Sequence, residues 1–225
     1  RLQGDWSSDV CSSDLKTQEA KQAYQIECFQ DDISEIQPAV REDGTTISVR
    51  NLFAQIPVRR KFLKANTTEL SYITELVMHM ILIHPEKNIT LLSEGKEVLN
   101  STGIHSQEAL TVMCYGKSFK NHLIPIDTEV NGIQIKGFFS DPTLTFSNRT
   151  KQIISVNNRL VKSPLISKSI QDAFRDLIPQ RRFPFILIDL KIDQSIIDVN
   201  IHPQKHDIKF LNPALIFEKI GRAHV

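Results

Sequence analysis

The chain of 225 residues is 40% hydrophobic, 24% charged and 7% aromatic, a balance that excludes a disordered or fibrous protein and is enough to bury a core. Its formal charge of +1 conceals a segregation: residues 16–105 carry 10 basic against 12 acidic side chains, residues 106–219 carry 15 against 11. No apolar run approaches the roughly 20 residues of a membrane-spanning helix, the first five residues show no signal-peptide pattern, and three cysteines without paired spacing give neither a disulfide framework nor a structural zinc site, so a reducing cytoplasmic setting is expected.

Residues 4–15, GDWSSDVCSSDL, repeat Ser-Ser-Asp and show neither helical nor strand periodicity. The string resembles the conceptual translation of a short-read sequencing adapter, and residues 220–225, IGRAHV, resemble the same adapter read on the opposite strand. Residues 1–15 and 220–225 are therefore expected to be foreign, leaving 16–219 as the genuine protein, cut from a longer gene. Residues 16–29 read as a helix or hairpin remnant, followed by an acidic loop over 31–43. Residues 47–53 alternate apolar with polar and predict a half-buried strand. From Thr68 the apolar residues Leu70, Ile73, Leu76, Val77, Met80 and Ile81 recur at three and four, which predicts an amphipathic helix capped by Thr67 or Thr68 and stopped at Pro85. Residues 88–92 and 96–99, with Glu94-Gly95 between, predict a hairpin.

The polar stretch 100–106 is the expected link between two domains. Beyond it, strands are expected over 110–114, 122–130, 133–140 and 151–156, with Asn131-Gly132 the strongest turn signal. Leu165, Ile166, Ser169, Ile170, Ala173, Phe174 and Leu177 share one face of an expected helix over 165–178; a strand over 185–192, an extended stretch at 197–201, a loop at 203–207 and Ile208-Lys209-Phe210 complete the pattern. The fold class expected is α+β, with helices on one face of a mostly antiparallel or mixed sheet.

Two charged features stand out. Arg59-Arg60-Lys61, with Lys64 close behind, places four cations within six positions, a cluster favoured beside phosphate oxygens; an exposed charged helix start is the alternative. Residues 149–182 hold eight basic side chains against two acidic ones, a surplus that suits either a nucleic-acid phosphate backbone or a solvated basic face. In Asp198-Val199-Asn200-Ile201-His202-Pro203-Gln204-Lys205-His206-Asp207, polar groups crowd an apolar strand. His202 and His206 have the spacing of two metal ligands on a helix, but Pro203 opposes the helix and no cysteine is near, so no metal site is expected. Lys205 follows the strand on a loop, where a long ammonium can be aimed at a phosphate; a surface lysine is the alternative. No Gly-rich phosphate loop and no Ser/His/Asp arrangement is present in these residues, and Cys28 and Cys114 read as small core residues.

Gly44-Thr45-Thr46-Ile47-Ser48-Val49 through Leu52-Phe53-Ala54-Gln55-Ile56-Pro57-Val58-Arg59-Arg60-Lys61-Phe62-Leu63-Lys64 resembles the GT-x-V-x-V-x-x-LF-x-NTPARRKFLK block of the MutL DNA mismatch repair family. Val156-Asn157-Asn158-Arg159-Leu160-Val161 is similar to the family's VNGRxV, and 198–205 to its DVNVHPxK. The three blocks stand in the family's order and the resemblance covers about residues 16–219, with Ile56 in place of the first block's Thr, Asn158 in place of Gly, and Pro164 where relatives can carry a basic residue.

This resemblance implies that residues 16–105 are the rear part of a GHKL-type ATPase α/β sandwich. Residues 106–219 would be a ribosomal-protein-like αβ transducer domain with a left-handed crossover, against the usual right-handed rule. It further implies an ATP-gated, DNA-binding matchmaker that couples a mismatch-sensor protein to downstream nicking or helicase factors, a weak ATPase and a homodimer when complete. ATP and its Mg would be held mainly by nucleotide motifs that precede residue 16 in the family, so the fragment is expected to be inactive alone. Lys205, matching the lysine of HPxK, would contact the γ-phosphate, with Asn200 orienting it. Lys61, Arg59 and Arg60, then Arg159 and Lys162, would meet DNA. Two other classes remain open: a stand-alone nucleic-acid-binding module, and the transducer of a type II topoisomerase, which the HPQKH and RRKF blocks disfavour.

Overall fold

The computed structural model describes residues 10–29, 32–54, 56–130, 132–193, 195, 197–198 and 209–210. The chain divides into two compact units, Arg1–Glu69 and Leu70–Val225.

In the first unit, strands β1 (Val10–Lys16), β2 (Ala23–Phe29), β3 (Asp32–Ile33), β4 (Gln37–Ala39) and β5 (Gly44–Arg50) make one antiparallel sheet. β1 lies between β2 and β5, with Ser13 opposite both Ile26 and Ile47, while β3 and β4 pair with the two ends of β2. Two features depart from the sequence pattern. Residues 10–15, which show no strand periodicity, form most of the central strand; a backbone ladder is made by N–H and C=O groups that every non-proline residue carries, so a polar, aperiodic string can still pair on both edges. Of the two readings of 16–29 the helix fails, since 23–29 are a strand, and the acidic stretch after them is not all loop but contributes β3 and β4. Because side chains alternate between faces, Leu15, Tyr24, Ile26, Ile33, Ile47 and Val49 share one face, and all six are exposed. The expected strand at 47–53 is β5, and it ends before α1 (Pro57–Lys61).

Helix α2 (Asn66–Ile83) begins ahead of the expected Thr67 or Thr68 cap, with the Thr68 and Glu69 N–H groups donating to the Ala65 carbonyl. Its apolar stripe is less buried than the spacing predicts: Ile81 and Leu82 are fully buried, whereas Ile73, Leu76 and Met80 are nearly half exposed. β6 (Thr90–Ser93) and β7 (Lys96–Asn100) form the expected hairpin, with both turn residues, Glu94 and Gly95, in the left-handed region that a tight two-residue turn requires. Residues 100–106 lie inside the second unit, not between units. Ser101 is buried there, its hydroxyl accepting from the Ile89 N–H at 2.9 Å.

The expected strand over 110–114 is instead part of helix α3 (Gln107–Tyr115), whose Ser106 cap accepts from the Ala109 N–H at 3.3 Å. A short apolar run does not distinguish a buried strand from a buried helix, and the cap with Glu108 in the first turn decides it.

β8 (Leu123–Val130), β9 (Ile133–Ser140), β10 (Thr145–Phe146), β11 (Gln152–Val156), β12 (Arg159–Leu160), α4 (Pro164–Ala173), β13 (Phe183–Pro184) and β14 (Ile186–Lys191) follow. The central sheet runs β12-β11-β14-β9-β8, and β10 pairs β13 beside it. β11 and β14 are parallel and joined through α4; the other pairings in this sheet are antiparallel.

Successive residues of β11 enter different cores. Ile154 and Val156 pack with Ile166 and Ile170 of α4, while Ile153 packs with Ile81 and Leu82 of α2 and Leu110 of α3. Helices therefore cover both faces of this sheet, not one, which explains why β11 and β14 are apolar almost throughout. α4 ends at Ala173, short of the expected 178, and Leu177 is 55% exposed. β15 (Ile197–Asp198) pairs β16 (Lys209–Phe210).

Candidate nucleic-acid interface

α1 is five residues long, starts with Pro57 at a position where a missing N–H costs nothing, and carries Arg59, Arg60 and Lys61 in its last turn. Cations there complement the helix dipole, so the local structure alone accounts for part of this cluster. All three residues are exposed. Phe62, which follows, is 76% exposed.

In the second unit the site is built on the turn between β11 and β12. Asn157 and Asn158 both have positive φ, 51° and 64°, so the left-handed turn that the family's glycine would serve is made here by asparagine, which tolerates that conformation. The turn is pinned from below. Asn157 Nδ2 donates to the Ile192 carbonyl at 2.9 Å and its Oδ1 accepts from the Ile192 N–H at 3.0 Å. Asp189 Oδ1 accepts from the Asn158 N–H at 3.0 Å and from the Ser155 hydroxyl at 2.6 Å, and its Oδ2 pairs with Lys191 Nζ at 3.1 Å. Lys191 also reaches Asn158 Oδ1. Asp189 and Asn157 thus hold the residue that presents Arg159, a role unassigned from the sequence; the readable signal is one carboxylate inside the apolar run Ile186-Leu187-Ile188-Asp189-Leu190.

The side chains of Arg159 and Lys162 are exposed and make no hydrogen bond or ion pair among the described residues. The rest of the basic surplus is partly consumed inside the unit. Arg149 bonds Gln171 and lies over the Phe183 ring, Arg175 pairs with Asp172, and Arg182 bonds Thr145. Lys151 sits 4.3 Å from the Tyr115 ring centroid, and burial lowers its pKa. The surplus therefore splits between packing cations and free ones, with Arg159 and Lys162 among the free.

Beside Lys162 opens a cavity of about 580 Å³, bounded by α2, β11, β12 and the start of α4. Its apolar wall includes Leu76, Ile154, Leu160 and Val161, and its polar wall Glu75, His79 and Gln152. Burial lowers the His79 pKa, with Glu75 opposing and Lys162 and Lys151 assisting. Burial also pushes the Cys114 thiol up to about 11, consistent with a small core residue.

Lys205 and Asn200, with His202 and His206, lie outside the described residues. The structure thus brings Arg159 and Lys162 together in one unit and puts Arg59, Arg60 and Lys61 in the other. Among the described residues no group of three His, Cys, Asp or Glu could hold a metal ion, and no helix is long and apolar enough to cross a membrane.

A family model described as "DNA mismatch repair protein, C-terminal domain" matches residues 111–224. The MutL protein of Chlorobium phaeovibrioides is 40% identical over 169 residues, which are 75% of this chain and 27% of that protein. That of Pelodictyon phaeoclathratiforme is 37% identical over 205 residues, 90% of this chain and 33% of that protein. The chain thus spans about a third or less of the curated relatives it matches. Among solved structures, the N-terminal domain of a DNA repair protein gives a TM-score of 0.77 at 20% identity, covering 97% of this chain and 72% of that one. The Aquifex aeolicus MutL ATPase domain complexed with ADP gives 0.65 at 22%, covering 96% and 74%. The gyrase B subunit of Myxococcus xanthus gives 0.54 at 9%, covering 97% and 67%; at these identities the likeness is one of fold.

Proposed function

Because the chain belongs to the MutL family of DNA mismatch repair proteins, we propose that it is the DNA-facing and nucleotide-sensing part of an ATP-gated matchmaker acting in the cytoplasm. The observation that carries the DNA reading is the pinned Asn157-Asn158 turn, which leaves Arg159 exposed beside Lys162 with no acidic partner among the described residues. Two cations held by a rigid turn suit phosphate oxygens, and contacts of this kind position a duplex without reading its sequence. Lys61, with Arg59 and Arg60, contributes a second set of cations from the other unit.

In this reading residues 16–105 end the ATPase domain and 106–219 form the transducer. ATP with its Mg is held mainly by the family's nucleotide motifs; Lys205 reaches the γ-phosphate and Asn200 orients it. The order of the three motifs supports that assignment, as does the Aquifex relative described with ADP. A cation from a second domain that is satisfied only by the γ-phosphate binds one conformational state better than the other, so nucleotide shifts the balance between them. The complete protein would then act as a homodimer, passing the signal of a mismatch sensor to nicking or helicase factors. Likeness to gyrase is one of fold alone, so the topoisomerase alternative gains no separate support.

The test is Lys205→Ala in the complete protein. Losing one charge-assisted hydrogen bond costs about 1.5–3 kcal/mol, so steady-state ATP turnover is expected to fall by at least about tenfold. Unchanged turnover removes Lys205 from the mechanism.

A further inference from the structure

Along α4 one face stays in water. Ile166, Ser169 and Ile170 are buried, whereas Pro164, Lys168 and Gln171 are exposed at helical intervals, and Arg175, one turn further, is exposed too. The ten residues of the helix span about 15 Å. Cations stand at both ends of this span and in its middle. Lys162 precedes the Ser163 cap, Lys168 lies on the exposed face, and Arg181 sits beside the far end, where it lines a pocket of about 300 Å³ with Gln171, Phe174 and Arg175. Lys162, Lys168 and Arg181 are exposed, and their side chains make no hydrogen bond or ion pair among the described residues. Residues 159–182 hold six basic side chains against Asp172 and Asp176, and Asp172 is already paired with Arg175. A surface that serves solubility alone intersperses the two signs, and this one does not.

Arg181 carries a second mark. The Arg182 N–H donates to the Pro179 carbonyl at 3.1 Å, closing a turn in which Arg181 has a φ of 62°. Glycine adopts that conformation freely and arginine does not, so the backbone is held there against the preference of its own side chain. Strain of this kind points to a side chain with a task at that place. Its neighbour Arg182 has a packing task, since it bonds Thr145, whereas no contact within the unit accounts for the exposed Arg181 side chain.

We propose that the DNA surface continues from Lys162 along the exposed face of α4, with Lys168 and Arg181 as further contacts to the phosphate backbone of a duplex. This rests on the DNA reading above and gives it an extent and a direction. A single phosphate group could meet only one member of a row spread over the length of a helix. Phosphates on one strand of a duplex recur every 3.4 Å or so of its axis, so a span of about 15 Å passes about four of them. Because the row is carried on a helix its spacing is fixed, which suits the regular spacing of a duplex.

The test measures the affinity of the full 225-residue chain for a random-sequence duplex across a series of salt concentrations. Three proteins are compared: the unchanged chain, the pair Lys168→Ala and Arg181→Gly, and the pair Arg159→Ala and Lys162→Ala. Alanine is a better helix former than lysine and glycine suits the left-handed turn, so the first pair is expected to keep its melting temperature while binding more weakly. Its slope of log affinity against log salt is expected to be shallower by nearly 2, at about 0.9 for each phosphate left without its cation. Arg181→Asn, which also tolerates the left-handed region, replaces the glycine variant should that one fail to fold.

If the first pair leaves the slope unchanged while the second pair lowers it, DNA is confined to the turn that carries Arg159: the proposal fails and the DNA reading stands. If neither pair changes the slope, both fail.

Discussion

Gly137 of β9 stands opposite Ile188 of β14. A Cβ added there would lie 1.9 Å from the Leu187 carbonyl oxygen, and its φ of +143° is one that side-chain-bearing residues rarely adopt. The obstacle is backbone in the middle of a sheet, which cannot swing aside. Gly137→Ala is therefore expected to destabilise the second unit by about 3 kcal/mol or more, at the upper end of single-substitution effects, read as a lower urea midpoint. At the other end of the β8–β9 hairpin, hydrogen bonds from Thr143, then from His122, depress the Asp141 carboxyl from its ordinary 3.8 to about 2. A depressed acid contributes stability that is present above its unfolded pKa and lost as pH falls through its folded one. Asp141→Asn is accordingly expected to flatten the loss of stability between about pH 4 and pH 2; an unchanged acid limb contradicts the assignment.

At the scale of elements, α4 shows what a cap does for a site. Ser163 is 6% exposed and accepts from the Ile166 N–H at 3.3 Å, setting the start of the helix directly after Lys162. Ser163→Ala is expected to cost about 1 kcal/mol in unfolding free energy, and an unchanged urea midpoint would show the cap to be idle. The elements legible in the sequence are those with turn chemistry at their ends: the hairpin turning at Glu94-Gly95, the strands β8 and β9 around Gly132, and α4 behind Ser163.

Where such punctuation is missing or easily overlooked, the sequence pattern misleads. α3 presents four apolar residues in a row of five and reads as a strand; β2 reads as well as a helix, because Ala20, Ala23, Tyr24 and Ile26 also recur at near-helical spacing. β1 lacks any pattern because its place comes from pairing with strands on both sides. The site is legible in the same uneven way. Arg159 and Lys162 can be picked out by motif, but Asp189 holds the turn through neighbours that only the fold supplies. His79 and Gln152 lie 73 positions apart in sequence yet border one cavity.

For the whole molecule, the charge segregation visible in the composition survives folding only in part. Packing absorbs Arg149, Lys151, Arg175 and Arg182 into interactions with rings, amides and a carboxylate, so the available cations are far fewer than the local excess in residues 149–182 suggests. Among the described residues of that segment, the exposed side chains of Arg159, Lys162, Lys168 and Arg181 make no hydrogen bond or ion pair, and in the other unit Arg60 and Lys61 are exposed on α1. Backbone-directed binding through so few cations should be modest in affinity, insensitive to sequence and steeply dependent on salt.

The measurement that bears most directly on this account is the affinity of the chain for a random-sequence DNA duplex across a series of salt concentrations, with and without the paired substitutions Arg159→Ala and Lys162→Ala. Every phosphate left without its cation should reduce the slope of log affinity against log salt by about 0.9, so the double variant is expected to bind more weakly with a slope shallower by nearly 2. Binding that ignores salt, or a slope unchanged by removing both cations, would contradict the placement of the DNA interface on this turn.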